Sequence, residues 1–129
     1  MLTDDDRRLL GAPHFAVIAT LMPDGSPHTS TVWVDTDGDD ILVNTAEGRV
    51  KPVNVRRDPR VSLSVVDPEN PYRYVEIRGR VVDITQEGAD ESINQLAKKY
   101  LGVDQYPYRQ PGEVRVIYRV KPEHVHGNG

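Results

Sequence analysis

The sequence predicts a mainly β fold, six antiparallel strands closed or nearly closed into a barrel, with a few flanking helices, and three observations carry that expectation. Short stretches rich in Val, Ile and Thr recur along the chain, separated by Asp, Gly, Pro and Asn clusters that carry turn chemistry. Val61, Leu63 and Val65 alternate with Ser62 and Ser64, the period of a strand with one buried face. Only one stretch, 87–100, has a convincing helical period, with Ile93, Leu96, Ala97 and Tyr100 on one face. Such a chain buries itself by closing its sheet and covering an open end with that helix.

In order, 3–11 reads as a short helix, because Thr3 can cap orphan amides, Asp4, Asp5 and Asp6 suit the positive end of the helix dipole, and Gly11 can end it. Residues 14–21 form a strand that turns at Pro23-Asp24-Gly25-Ser26 into a second strand, 28–35. The Asp- and Gly-rich turn 35–40 leads to a third strand, 41–44. Pro52 fits only the first turn of a helix, which places one over 50–57. Strands follow at 61–65 and 74–83, then the helix at 87–100, an irregular loop at 102–112 and a last strand at 114–121, with Val114, Val116, Tyr118 and Val120 sharing a face. The tail 124–129 is expected to be mobile.

A chain of 129 residues with 37% apolar and 28% charged residues fits a single folded domain, 1–129. It holds no run near the length of a membrane helix and begins acidic where a secretion signal would be basic, so a cytoplasmic protein without a membrane partner is expected. The absence of cysteine excludes disulfides, thiolate metal sites and thiol nucleophiles. A net charge of -4 argues against nucleic acid as a partner. No glycine-rich dinucleotide fingerprint, Walker loop or nucleophile elbow is present. His124 and His126 beside Glu123 have ligand chemistry, but a metal site needs ligands fixed by their surroundings, and none is assigned. His14 is expected to cap or pack near the first helix.

The segment 44–60 is the most informative. A strand end, the small-residue loop Thr45-Ala46-Glu47-Gly48 and a helix start place backbone amides, Arg49 and Lys51 around one point. Helix-start amides with a guanidinium fork suit a phosphate. A solvated basic face made of Arg49, Lys51, Arg56, Arg57 and Arg60 is the competing reading, and spacing alone does not separate the two.

Further motifs extend along nearly the whole chain: Phe15-Ala16-Val17-Ile18-Ala19-Thr20, Asp24-Gly25-Ser26-Pro27-His28, Ser30-Thr31-Val32-Trp33-Val34, Gly48-Arg49-Val50-Lys51, Asn54-Val55-Arg56-Arg57-Asp58-Pro59-Arg60-Val61 and Glu76-Ile77-Arg78-Gly79. With the order of elements, they resemble the flavin/deazaflavin oxidoreductase superfamily, the pyridoxamine 5'-phosphate oxidase-like proteins, and within it the F420-dependent class B branch. The resemblance implies a six-stranded Greek-key split β-barrel of the FMN-binding type and a homodimer with cofactor sites at the subunit interface. The implied activity is an oxidoreductase that passes a hydride between reduced coenzyme F420, a deazaflavin, and a small organic acceptor of enone, quinone or tetrapyrrole type.

Carried over residue by residue, the resemblance gives His28, Ser30, Thr31 and Val32 to the border of the cofactor ring. Arg49 and Lys51, with Thr45, Ala46 and Gly48 of their loop, fall at the phosphate. Asn54 and Arg57 support that pair, and one of Arg56 and Arg57 is structural, with Arg56 retained as a cofactor residue. Tyr106, Tyr108 and Arg109, with Tyr72 and Tyr74, are the aromatic and basic groups that the second subunit can offer to the site, although core or interface packing accounts better for any one tyrosine. No side chain is implied as a catalytic nucleophile, and Tyr108, a backbone amide or water stand open as the proton source. FMN remains the alternative cofactor, and a non-catalytic flavin or deazaflavin carrier the alternative function.

Overall fold

The computed structural model describes residues 1–127. Its elements run α1 (Asp4–Gly11), β1 (Ala16–Leu21), β2 (Pro27–Val32), β3 (Val34–Asp37), β4 (Asp40–Ala46), α2 (Val50–Arg57), β5 (Arg60–Asp67), β6 (Asn70–Thr85), α3 (Ala89–Leu101) and β7 (Arg115–Gly127). The strands form one antiparallel sheet in the order β2-β1-β5-β6-β7-β4-β3. Its two edge strands, β2 and β3, are consecutive in the chain and separated only by Trp33. A flat sheet cannot have its two edges one residue apart, so the sheet must curl on itself. The result is a split barrel whose seam lies at Trp33.

That seam is why seven strands stand where six are expected. The predicted strand 28–35 is continuous in sequence, but its first half pairs with β1 (Val32 opposite Ala16) and its second half with β4 (Val34 opposite Val43). The end of α3 closes the seam: the Tyr100 hydroxyl accepts from the Val34 N–H at 3.1 Å and donates to the His14 carbonyl at 2.7 Å. The Lys99 ammonium donates to the Leu10 and Val34 carbonyls at 2.7 and 2.6 Å.

The interior is filled from every strand by alternate apolar side chains, with Ile18, Val34, Val43, Leu63, Ile77 and Tyr118 fully buried. At α1, the Thr3 hydroxyl accepts from the Asp6 N–H and the Thr3 N–H donates to the Asp6 carboxylate, each at 3.0 Å, so the expected cap is a reciprocal capping box.

The tail corrects an expectation. Residues through 127 belong to β7 and pair with β6, Ile77 opposite Val125 and Val75 opposite Gly127; Asn128 and Gly129 lie outside the described residues. Pro122 looked like a strand end because it cannot donate to a ladder. The ladder passes it by shifting register where Gly79 faces Pro122, and a Cβ at Gly79 would overlap the Lys121 carbonyl oxygen. At the other end, Val114 lies outside β7 and is largely exposed. Among the described residues no helix is long and apolar enough to cross a membrane.

Candidate functional site

The chain leaves β4 through a turn at Gly48, whose φ of +83° favours glycine. It enters α2 with Arg49 at the cap position, and no side chain caps the first-turn amides. Two sets of contacts fix this helix start. Asn54, buried in α2, donates to the Thr20 hydroxyl at 3.0 Å and accepts from Arg57 at 3.1 Å, while Arg57 also donates to the Leu21 carbonyl. Arg56 grips the Glu47 carboxylate through both terminal nitrogens, at 2.8 and 2.5 Å, and so ties the helix to the loop before it. Both arginines thus tie α2 to the segments beside it.

In front of α2, at the barrel seam, lies an open cavity of about 190 Å³. One wall is cationic: Arg49, Lys51 and Arg115. Thr45 and Asn44 on β4 form its floor, and Thr31 and Val32 end β2 beside it. The lining also includes the aromatic residues Phe15, Trp33, Tyr106 and Tyr108, and Ile93 of α3. The Thr45 Oγ1 atom is buried without a hydrogen-bond partner.

Arg115 is almost wholly buried, its side chain 3% exposed. Its Nε donates to the Asn44 amide oxygen at 2.9 Å, its Nη1 donates to the Glu113 carboxylate, and its guanidinium stands 5.2 Å from the centre of the Tyr106 ring. Asn44 in turn donates to the Ala89 carbonyl at 2.8 Å, linking the floor to the start of α3. Burial pushes the Glu113 carboxyl up, but its hydrogen bond from Arg115, the Gln110 N–H and the charges of Arg115 and Arg49 outweigh this and hold it below the usual range. Lys51 is shifted downward too, here chiefly by burial. Desolvation first, then the charges of Arg49 and Arg115, hold its ammonium below the ordinary lysine range.

The cavity brings together Thr31, Val32, Thr45, Arg49, Lys51, Tyr106 and Tyr108 of the residues expected from the sequence. It does not include the others. His28 and Ser30 alternate with Thr31 and turn toward the barrel side, where the His28 Nδ1 and Ser30 Oγ atoms are buried without partners. Ala46 is packed on β4 opposite Arg115, Gly48 makes the turn, Arg56 is held by Glu47, and Arg109 pairs with Asp90 of α3 at 2.9 Å. Tyr72 and Tyr74 lie on β6 away from this cavity. Sequence reasoning missed Phe15, Trp33, Asn44, Ile93 and Arg115 as lining residues. The spacing Glu113-x-Arg115 at the start of a strand was the available signal for the buried pair.

A larger cavity, about 610 Å³, opens on the outer face of β1, β2 and β5 to β7, lined by small residues such as Ala19, Ser62 and Ser64 and by Glu76, Arg78, His124 and His126. Its greater size does not bring a greater share of positive charge. Its one basic guanidinium, Arg78, shares the face with the Glu76 carboxylate, whereas the seam cavity gathers three cations.

The chain is thus a seven-stranded antiparallel split barrel with a cation-lined cavity at its seam. The chain belongs to the pyridoxamine 5'-phosphate oxidase family, whose model matches residues 2–129. It is 30% identical over 132 residues to an F420H(2)-dependent biliverdin reductase of Mycobacterium tuberculosis, covering 98% of this chain and 88% of that protein. Among solved structures it is similar to an F420 reductase, with TM-score 0.82 and 34% identity over 93% of this chain and 94% of that one. A conserved hypothetical protein of Mycobacterium tuberculosis shares the fold, with TM-score 0.76 and 24% identity over 98% of this chain and 84% of that one.

Proposed function

We propose that this chain is a reductase that uses reduced coenzyme F420 to reduce a small organic acceptor of enone, quinone or tetrapyrrole type. The observation that carries the proposal is the group of donors at the seam: Arg49 and Lys51 beside uncapped α2 amides, with a buried Thr45 hydroxyl that has no partner among the described residues. These groups fit the coenzyme's phosphodiester, since each offers a donor and two offer charge. The likeness to two proteins named for F420 supports the coenzyme over FMN.

When bound, the reduced coenzyme supplies a hydride. The chain's own residues hold and shield. Arg49, Lys51 and the Thr45 hydroxyl bind the phosphate, the Thr31–Val32 end of β2 borders the ring, and Trp33 with Ile93 keeps water from that side. No side chain is assigned a covalent role. The cavity is smaller than the roughly 300–1,000 Å³ of sites that enclose a cofactor, which supports the reading that a second copy completes the site as a homodimer.

Fluorescence titration of purified protein with F420 and, in parallel, with FMN tests the reading. Saturable, preferential binding of F420, weakened about 10- to 150-fold in Lys51→Ala, is expected, the worth of one charge-assisted hydrogen bond. Preferential FMN binding moves the protein to flavin chemistry. Binding of neither, or equal binding by the variant, removes the cradle.

A further inference from the structure

β3 is an edge strand, so one side of its backbone has no strand to bond. In an antiparallel ladder the N–H and C=O of one residue point to the same side. At Val34, the first residue of β3, side chains of α3 take both groups: the N–H donates to the Tyr100 hydroxyl at 3.1 Å, and the C=O accepts from the Lys99 ammonium at 2.6 Å. Two consecutive residues of a helix thus stand where a neighbouring strand would be.

Each of them reaches a second segment as well. Tyr100 donates to the carbonyl of His14, two residues before β1, at 2.7 Å. Lys99 donates to the carbonyl of Leu10, in the last turn of α1, at 2.7 Å, where a helix leaves its carbonyls without internal partners. Four hydrogen bonds from two side chains therefore join α1, the start of β1 and the start of β3. The arm that carries them is itself fixed, since Asn44 holds the Ala89 carbonyl at its beginning and Ile93, Leu96 and Ala97 are buried along its length.

Trp33 sits where these ties meet. The residue before it, Val32, is laddered to β1, and the residue after it, Val34, to β4. The Tyr100 hydroxyl spans that change of partner, and the Tyr100 ring lies parallel to the Trp33 ring, with centroids 5.1 Å and planes 6° apart. Trp33 is held twice, through the backbone of the next residue and through its own ring. It lines the seam cavity together with Thr31 and Val32, whereas Lys99 and Tyr100 do not.

We propose that Lys99 and Tyr100 are positioning residues for the seam site: they set the width of the seam, and so the place of Trp33 and of the Thr31–Val32 end of β2, without touching the ligand. This rests on the reductase reading, in which the coenzyme ring borders Thr31 and Val32. Binding uses the closed seam, and apparent affinity falls with the fraction of molecules in which the seam is closed. Arg49 and Lys51, on α2 and its cap, are untouched by the clasp.

Trp33 is the chain's one tryptophan, so its quenching by acrylamide, excited beyond the tyrosine band, reads the seam with no ligand present. The experiment compares wild type with three variants. Tyr100→Phe keeps the ring and its stack but loses the hydroxyl bonds, Lys99→Met keeps the aliphatic stem but leaves two carbonyls unmet, and Lys99→Arg keeps donors for both. Urea melts identify the conditions under which each variant is folded, and F420 binding is followed by the coenzyme's own fluorescence. In folded Tyr100→Phe and Lys99→Met, acrylamide is expected to quench Trp33 more strongly than in wild type, and the Kd for F420 to rise about two- to tenfold, the scale of one lost hydrogen bond. Lys99→Arg is expected to keep both readings within about twofold of wild type, since a guanidinium supplies several donors. Should Lys99→Met not fold, Tyr100→Phe decides alone.

The proposal is overturned if the folded variants lose stability while Trp33 quenching and F420 affinity stay at wild-type values, or if Trp33 becomes more accessible and F420 affinity does not change. Failure of the coenzyme reading looks different: wild type does not bind F420, yet Trp33 is more accessible in Tyr100→Phe and Lys99→Met and protected again in Lys99→Arg, which upholds the clasp on Trp33 and removes the coenzyme.

Discussion

Replacing Arg115 with Met removes one half of a buried ion pair, and the structure sets the size of the consequence. The Arg115 and Glu113 side chains are 3% and 6% exposed, so the carboxylate left behind has almost no water to turn to. Breaking a buried pair from one side costs about 3–5 kcal/mol, chiefly the penalty of the stranded charge. Asn44 also loses the donor that its amide oxygen accepts, which adds about 1 kcal/mol. For a domain of this size each kcal/mol moves Tm by about 3–5 °C, so Arg115→Met is expected to melt roughly 12–30 °C below wild type.

The informative comparison is the double variant Arg115→Met with Glu113→Leu. Removing both charges removes the stranded carboxylate, leaving mainly the unmet Gln110 N–H and Asn44 oxygen, so the double variant is expected to be more stable than Arg115→Met alone. Thermal and urea melts of the four proteins measure this. If Arg115→Met costs less than about 1 kcal/mol, or the double variant is the sum of the singles, the pair is solvated and the argument from burial is wrong.

Three other outcomes follow from particular atoms. Because Lys51 is held below the ordinary lysine value of 10.5 and a bound phosphate raises it, F420 affinity should be flat below the free-protein Lys51 pKa and fall above it, beginning at lower pH than an ordinary lysine would allow. Titrations from pH 7 to 10 check this, and Lys51→Arg should flatten the profile. Tyr118→Phe deletes a fully buried hydroxyl that has no partner and should stabilise the fold by about 1 kcal/mol in urea melts; a loss instead would mean that the hydroxyl is satisfied. Gly79→Ala forces a methyl group into the Lys121 carbonyl at the β6–β7 register shift and should cost about 2 kcal/mol or more, with wild-type stability refuting the close approach.

What was legible in the sequence was local and periodic. The alternation over Val61, Leu63 and Val65, the Thr3 cap and the apolar stripe of α3 each follow from spacing, and each appears with the expected side buried. The cation pair was legible because Gly48, Arg49 and Lys51 lie within four residues and a helix start brings them to one point. The rest was set by partners far away in the chain. Trp33 breaks a strand because β4 claims its second half, and Pro122 does not end one because Gly79, more than forty residues earlier, makes room. Arg115 was hidden for the same reason: simple alternation with Val114 and Val116 assigns it to solvent, yet Asn44, 71 positions away, and Glu113 bury it.

The cationic wall has an energetic consequence that can be read without any coenzyme. Arg49, Lys51 and Arg115 share one small cavity, with Glu113 as the carboxylate that Arg115 has already engaged, and Lys51 gives up proton affinity to stay there. Sign follows from that shift: the folded state holds the ammonium less firmly than the unfolded chain does, so near neutral pH the charged Lys51 subtracts from stability. Lys51→Met should therefore raise the Tm of the free protein while it loses the anion. Inorganic phosphate should do the reverse in wild type, since a ligand that binds only the folded state stabilises it by about 2.7 kcal/mol at a hundred times its Kd. Phosphate also stabilises proteins generally by exclusion from their surface, so a Tm rise in wild type alone decides nothing. The decisive quantity is the difference at equal ionic strength: a rise with phosphate over chloride that is present in wild type and absent in Lys51→Met places the anion on Lys51, and an equal rise in both proteins refutes the strained cradle.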